Sequence, residues 1–381
     1  MPVSRLLAVA VVPLLVATLV GLAVLWPDGE PLGRSGSLGA PAQLVDATVV
    51  IDRRMPCQGV PERVANACHL TTLRITGGPD AGTERTLEMF EGPGQPPLER
   101  GDKVVLGRTS DVGGVEYYFA DFQRRTPLLW LTVLFAVVVV AVGRWRGLAA
   151  LAGVVVSFGV LVGFVLPAVL EGRSPLGVAI VGSAAMMFVL LYLAHGVNHQ
   201  TTTALLGTLV SLVVTGVLAA VFVSAGRLIS VGTEETAFLQ VSAAQVNLEG
   251  LLLGSIIIGS LGVLNDVTVT QASAVWALRA ADPSAGPAAL YRSAMRIGRD
   301  HIASTVDTLV LAYAGASLPL LLLFTLASRP LGDVITGQLV AQELVRTMVG
   351  GIGLAASVPV TTGLAALVAS RERPADLAEP E

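Results

Sequence analysis

Charge is scarce in this chain: 14% of its 381 residues are Asp, Glu, Lys or Arg, against about 25% in a typical soluble domain. Hydrophobic residues make up 53% of the sequence. A soluble protein of this size could not cover its surface with so few charges, and the same figures exclude an intrinsically disordered chain. The net charge of −4 provides no basic surface, which argues against a nucleic-acid partner.

Several chemistry-bearing motifs are missing as well. The sequence contains no Walker loop, no G-x-S-x-G, no kinase motif and no G-x-G-x-x-G turn in a usable context. ATP-driven transport by this chain alone is therefore not expected. Lysine and cysteine are also rare, since Lys103 is the only lysine and Cys57 and Cys68 are the only cysteines.

The charges that are present are concentrated in one region. Residues 27–126 hold 25 of the 52 charged residues, and the rest of the chain is strongly apolar. A transmembrane helix needs about 20 apolar residues. Eight segments qualify, at roughly 6–26, 127–143, 148–170, 176–195, 203–225, 249–268, 305–327 and 346–369. The sequence therefore predicts a mainly α, polytopic membrane protein with about eight transmembrane helices.

The arginines predict the orientation of these spans. With a cytoplasmic N-terminus, nine arginines fall in short inside segments and three in short outside loops, which favours cytoplasmic N- and C-termini. The predicted division is a signal-anchor helix (1–26), an extracytoplasmic domain (27–126), a seven-helix membrane domain (127–370) and a cytoplasmic tail (371–381). A cleaved signal peptide is the alternative for the first segment.

The extracytoplasmic domain has the pattern of a small β fold. Short runs rich in β-formers, at 45–51, 71–76, 84–90, 102–107 and 115–120, are separated by Gly-Pro-rich turns. Five short strands predict an OB-like fold or another small barrel or sandwich. Outside a bacterial membrane, Cys57 and Cys68 are expected to form a disulfide, and two buried thiols are the alternative.

Polar side chains near the spans fall into two layers, and each is informative because a charge in hydrocarbon is costly. The inner layer consists of His195, Asn198, His199, Gln200, Asn265, Asp266, Gln271, Asp300, His301 and Asp307. The outer layer consists of Glu249, Glu343 and Arg346. Glu343 and Arg346 are three residues apart, so they form either a structural ion pair or part of an outer mouth.

The motif HGVNHQ offers a possible metal site. On a continued helix His195 and His199 would share a face, a spacing that suits two ligands of one metal. Gly196 and Val197 stand where the acidic residue of H-E-x-x-H would be. A polar helix end wetted by the cytoplasm is the simpler interpretation.

Carboxylates accompany two of the later spans. Asp266 ends a stripe of small residues, Ser255, Gly259 and Gly262, which favours close helix packing. It is either a capping residue or part of a polar pathway. Asp300 and Asp307 lie on one stripe running into span 7, which is costly unless it meets cations, metal or water.

Several long motifs resemble the YibE/F-like family of bacterial multi-span membrane proteins. They are HGVNHQTTTALLGT (195–208), LGVLNDVTVTQASAVWAL (261–278), the run from Ser293 to Phe324 that contains RIGRDHIASTVDT, and ELVRTMVGGIGLAASVPVTT (343–362). The resemblance implies a multi-pass protein of the plasma membrane and implies no particular reaction. Asn265 is a departure, since an acidic residue is expected beside Asp266.

These patterns give three functional hypotheses. The leading one is a secondary transporter or permease for a small solute or ion, coupled to a proton or other cation, with a pathway lined by Asp266, Asp300, His301, Asp307 and the Glu343–Arg346 pair. The second is a metal-assisted membrane enzyme using His195, His199, Asp300 and His301. The third is an assembly or sensor protein in which residues 27–126 bind a partner or a second copy.

Overall fold

The computed structural model describes residues 3–29, 43–56, 67–91, 98–111, 114–230, 246–326 and 330–372. Two compact units are present. One is Arg34–Val138, and the other combines Met1–Gly33 with Val139–Glu381. We call them the β unit and the helical unit.

The β unit contains the five predicted strands. They are β1 (Gln43–Met55), β2 (Ala67–Ile75), β3 (Glu84–Glu91), β4 (Lys103–Asp111) and β5 (Gly114–Phe122). The strands form one antiparallel sheet in the order β3-β2-β1-β4-β5. The edge strands β3 and β5 also contact each other, so the sheet curls towards a small barrel. This confirms the predicted fold of the region.

Alternation along β1 explains how the sheet acquires a core. Val45, Ala47 and Val49 are buried while the residues between them are more exposed, because successive side chains of a strand point to opposite faces. Leu73, Leu106 and other apolar residues of the sheet complete this core.

The helical unit, together with the start of α2, contains the long apolar helices. They are α1 (Val3–Leu25), α2 (Arg125–Val160), a π-helical turn (Leu161–Val165), α3 (Leu166–Leu170), α4 (Pro175–His195), α5 (His199–Ala225), α6 (Leu248–Ala281), α7 (Pro287–Ala316), α8 (Leu318–Leu326), α9 (Leu331–Thr336) and α10 (Gln338–Ala369).

Six helices in the described residues are long and apolar enough to cross a membrane, or seven if α7 and α8 form one bent span. This confirms a multi-span helical protein and differs from the predicted eight spans at one place. The run Arg125–Leu170 counts as one span, although Arg144 has a non-helical backbone (φ 51°, ψ −129°). A Cβ added at Gly147 would collide with the carbonyl oxygen of Val139. In a straight helix, Val139 and Gly147 would lie about 12 Å apart along the axis, because they are eight residues apart. The chain therefore reverses at Arg144, and the run divides into the two predicted segments, 127–143 and 148–170.

Two prolines accompany breaks or bends in the helices, and a third lies inside a helix. Pro167 follows the π-helical turn, and Pro319 is the second residue of α8, directly after a 59° bend at the end of α7. Pro359 lies inside α10. Proline is tolerated in the first turn of a helix because the N–H it lacks would have no helical partner there.

Helices α5, α6 and α10 pack against one another and form the centre of the helical unit. Helix α4 lies against α6, where a Cβ at Gly250 or Gly254 would press on Pro175. Helix α7 lies mainly against α10. The functional candidates are therefore placed around a central group of three helices.

Candidate functional site

Polar side chains are buried between the three central helices. We call them the polar core: Thr208, Ser211 and Thr215 on α5, Ser260, Thr268 and Gln271 on α6, and Ser357, Thr361 and Thr362 on α10. All nine are buried, and none carries a charge. Of this set, only Gln271 belongs to the inner polar layer predicted from the sequence. Hydroxyls and amides buried among apolar helices are costly unless they find partners, so their contacts are informative.

Hydrogen bonds join the three helices through this core. Thr208 Oγ1 and Thr268 Oγ1 are 2.6 Å apart and connect α5 to α6. Thr362 Oγ1 donates to Gln271 Oε1 over 2.9 Å and connects α10 to α6. Nε2 of the fully buried Gln271 has no partner among the described residues. It faces Gly298 of α7, where an added Cβ would lie 3.0 Å from that nitrogen.

One end of the polar core is closed by a buried carboxylate. His199 Nδ1 lies 2.7 Å from Glu372 Oε1, and Trp276 Nε1 donates to Glu372 Oε2 over 3.0 Å. Nearby, Gln200 Nε2 donates to Ser273 Oγ over 2.7 Å. We call this the His199 end. Glu372 follows α10 within the predicted cytoplasmic tail, yet it is only 8% exposed.

The two histidines of HGVNHQ do not lie on one continuous helix. His195 ends α4, and Gly196 adopts a positive φ of 72° that a helix cannot continue through. Asn198 then caps α5 by accepting from the N–H of Thr201. The i,i+4 geometry expected for a two-histidine metal site is therefore absent. Nδ1 of His195 is buried without a partner among the described residues.

A cavity of about 460 Å³ lies beside the His199 end. Its lining combines apolar residues with polar groups, among them Leu7 and Val11 of α1, Tyr192 of α4, and Asn198 and His199. The hydroxyls of Tyr192 and Thr202 are 3.3 Å apart at its wall.

The opposite end carries the predicted ion pair. Arg346 Nη1 lies 3.3 Å from Glu343 Oε1, and Arg346 Nη2 donates to Ser255 Oγ over 3.2 Å. We call this the Glu343 end. A mainly apolar cavity of about 240 Å³ adjoins it, lined by Tyr313, Ser317, Glu343 and neighbouring residues of α7, α8 and α10. Glu249, the third member of the outer layer, is exposed at the start of α6.

Three predicted carboxylates lie outside the polar core. Asp266, Asp300 and Asp307 are all exposed, and none has a hydrogen bond or ion pair within the described part of the chain. On α7, Asp300 and Asp307 lie on the side opposite the buried Ala294 and Gly298. The structure therefore does not gather these carboxylates into one buried cluster.

Two further candidates are half-buried beside this exposed surface. His301 Nε2 and Asn265 Oδ1 are inaccessible to solvent and have no partner among the described residues. Across those same residues, no group of three or more His, Cys, Asp or Glu side chains could hold a metal ion. The arrangement thus offers neutral oxygen and nitrogen groups inside and charges at the ends and outer surface.

The β unit has its own charged cluster. Asp80 accepts hydrogen bonds from Tyr117 and from Arg108 Nε, the latter over 2.9 Å. These bonds hold the pKa of the Asp80 carboxyl below its usual range, the Tyr117 bond having the larger effect. Burial raises the pKa of Tyr117. On β2, Cys68 is buried and disulfide-bonded, and Cys57 lies outside the described residues.

Comparison with known proteins identifies a family and nothing closer. A family model described as YibE/F-like protein matches residues 131–371. The match covers the polar core, the Glu343 end and the His199 end apart from Glu372, and it does not include the five strands. No curated protein matches the chain, and no solved structure matches it.

Proposed function

Because the chain belongs to the YibE/F-like family and is a multi-span membrane protein with a polar interior, we propose that it is a secondary transporter or permease for a small solute or ion. The proposal goes beyond the family, which implies no reaction. It rests on the position and chemistry of the polar core.

The observation that carries the proposal is that polar side chains are buried at successive levels of the central helices, between their two ends. Starting from the His199 end, the first level contains Gln271 and Thr362, the second contains Thr208 and Thr268, and the third contains Ser260. Ser255 follows at the Glu343 end. Apolar side chains would fill this interior without the free-energy cost of burying polar groups. A line of polar groups through an apolar bundle is the arrangement that a hydrophilic solute or ion needs.

The ends of this line suit entry and exit. Glu372 and His199 place ionisable groups at one end, and Glu343 and Arg346 place them at the other. Each end also adjoins a cavity. The route between the cavities is closed by packed side chains, so transport requires helix movement. Helix α10, which has Pro359 in its interior, is the helix we expect to move.

The test is flux into proteoliposomes containing the full-length chain. Proton movement is followed with an entrapped pH-sensitive dye, and Na⁺, K⁺ and phosphate are followed as radioactive tracers. We expect Gln271→Met to lower the flux by about tenfold, the kinetic equivalent of one net hydrogen bond of about 1.4 kcal/mol. Gln338→Met is the matched control, because Gln338 is bonded to the Ile229 carbonyl and lies outside the polar core.

A second variant separates two routes. If the solute passes through the polar core, Asp307→Asn leaves the flux unchanged, because Asp307 is exposed on the far side of α7. Loss of flux in Asp307→Asn with normal flux in Gln271→Met would place the route along the outer carboxylates instead. Flux no greater than that of empty liposomes for every probe would contradict the transporter proposal.

A further inference from the structure

Helices α5 and α10 carry the same sequence pattern. Aligned without a gap, residues 207–220 and 353–366 are identical at seven of 14 positions, including Gly, Ser and Thr at matching places in GTLVSLVVT and GLAASVPVT. Their burial matches too. In α5 the residues Gly207, Thr208, Ser211, Leu212, Thr215 and Ala219 are buried, and so are all six counterparts in α10.

The two copies of the pattern cross each other in opposite directions. A Cβ added at Gly207 would collide with Thr361 Oγ1, and a Cβ added at Gly353 would collide with Thr215 Oγ1. The glycine of each copy therefore receives the threonine of the other, which places Ser211 and Ser357 at one level in the middle. The contacts define an inverted repeat with a local two-fold axis at this crossing.

The hydroxyl groups at the crossing present oxygen lone pairs. Ser211 Oγ donates to the Gly207 carbonyl over 2.7 Å, and Thr215 Oγ1 donates to the Ser211 carbonyl over 2.9 Å. Ser357 Oγ donates to the Leu354 carbonyl over 2.7 Å. Each hydroxyl has one hydrogen and two lone pairs. Because the hydrogens are used within the helices, the groups left for a ligand between them are acceptors.

One further oxygen atom at the crossing has no hydrogen-bond partner within the described part of the chain. Thr361 is fully buried, and its Oγ1 has no partner among the described residues. An unpartnered buried oxygen is costly, and a bound ligand that satisfies it recovers that cost.

We infer that the α5–α10 crossing binds a monovalent alkali cation through the hydroxyls of Ser211, Ser357 and Thr361. The donors are hard, neutral oxygens, which suit such ions. Zinc requires nitrogen or sulfur ligands, and calcium and magnesium sites use carboxylates, none of which belongs to the polar core. Inverted-repeat transporters bind coupling ions at this kind of position. The inference deepens the proposed function by naming a transported or coupling ion.

Binding is measured on the purified full-length chain with ²²Na⁺ at constant ionic strength, with choline chloride replacing NaCl, and thermal unfolding is followed in the same two salts. We expect saturable Na⁺ binding and a higher unfolding temperature in NaCl. Thr361→Val and Ser357→Ala should each weaken Na⁺ binding by about tenfold or more. Loss of a group that only supports a metal ligand already weakens metal binding by about that factor. Thr361→Ser keeps the hydroxyl and should keep binding.

The control is Thr347→Val, the same change of shape in α10 at a hydroxyl that donates to the Glu343 carbonyl; it should bind as the wild type does. Equal behaviour in NaCl and choline chloride, or wild-type binding by folded Thr361→Val, overturns the inference. If Thr361→Val fails to fold, Ser357→Ala and Thr361→Ser decide it. If flux is measured and does not depend on Na⁺ or K⁺, this inference is wrong and the transporter proposal stands. If Na⁺ binds but no flux is measured, this inference stands and the transporter proposal is wrong.

Discussion

The β unit and the helical unit keep their polar groups in opposite places. In the β unit the core is apolar, with Val49 and Leu73 buried, and ion pairs such as Arg74–Glu84 lie on the surface. In the helical unit hydroxyls and amides occupy the centre, while large apolar side chains such as Val142 and Leu326 face outwards with more than four fifths of their surface exposed.

The difference reflects the solvent that each unit meets. In water, burial of apolar surface drives folding, so a sheet with one apolar face is sufficient. In a bilayer the surroundings are as apolar as leucine, and helices associate instead through close packing of small residues and hydrogen bonds. Gly207 and Gly353, each in contact with a threonine of the other helix, are that second kind of contact.

The largest expected effect concerns the disulfide bond of the β unit, a covalent contact that the helical unit has no cysteine to form. Both cysteines lie in residues 27–126, and Cys68 is disulfide-bonded. We expect Cys68→Ala to destabilise the β unit by about 2–5 kcal/mol, as loss of a disulfide does in small extracellular domains. Urea unfolding of the fragment 34–126 measures this. Dithiothreitol should destabilise the wild-type fragment and leave the variant unaffected; equal stability of the two proteins would contradict the prediction.

The next effect tests how tightly the central helices pack. Gly207→Ala should destabilise the full-length chain in detergent by about 1–3 kcal/mol, since its new Cβ meets Thr361. Gly262→Ala is the matched control on α6, where an added Cβ meets nothing within 4 Å. That change should be neutral or mildly stabilising, because alanine favours a helix over glycine. Similar unfolding temperatures for the two variants would show that the crossing is loose.

A smaller effect is expected at the His199 end. Glu372→Ala removes the acceptor of Trp276 Nε1 and the partner of His199. The expected loss is about 1–2 kcal/mol, the cost of leaving a donor without its charged acceptor. Glu249→Ala removes a carboxylate from an exposed position and should change stability by less than about 0.5 kcal/mol. Thermal unfolding in detergent compares the pair, and a silent Glu372→Ala would show that this contact contributes nothing.

Glu372 also shows where sequence reasoning stops. Apolar length and arginine bias predict the spans, and β-forming runs predict all five strands, because both depend on residues close in sequence. Glu372 is separated from His199 by 173 positions. Nothing in a short charged segment after α10 indicates that its carboxylate reaches back to the start of α5.

The polar core is not predicted from the sequence, and the reason differs from that for Glu372. Ionisable residues near the spans predict a site at Asp266, Asp300 and Asp307, which the structure leaves exposed, whereas neutral hydroxyls give no such signal one by one. A signal was available: Gly, Ser and Thr recur every four residues in both 207–215 and 353–361. Spacing alone could have shown a buried stripe on each helix, but only the fold shows that the two stripes face each other.

The smallest expected effect concerns surface charge in the β unit and is specific to pH. The hydrogen bonds from Tyr117 and Arg108 lower the pKa of Asp80 in the folded state. A carboxyl with a lowered folded pKa contributes stability above its unfolded pKa of about 3.9 and loses it as the pH falls through the folded value. Asp80→Asn should therefore destabilise the fragment 34–126 slightly at pH 7, with a difference from wild type that shrinks below about pH 4. Urea unfolding across this range measures it, and Glu116→Gln, the same change at an exposed position of β5, serves as the control. A difference that persists unchanged at pH 2 would mean that Asp80 acts through packing rather than through its charge.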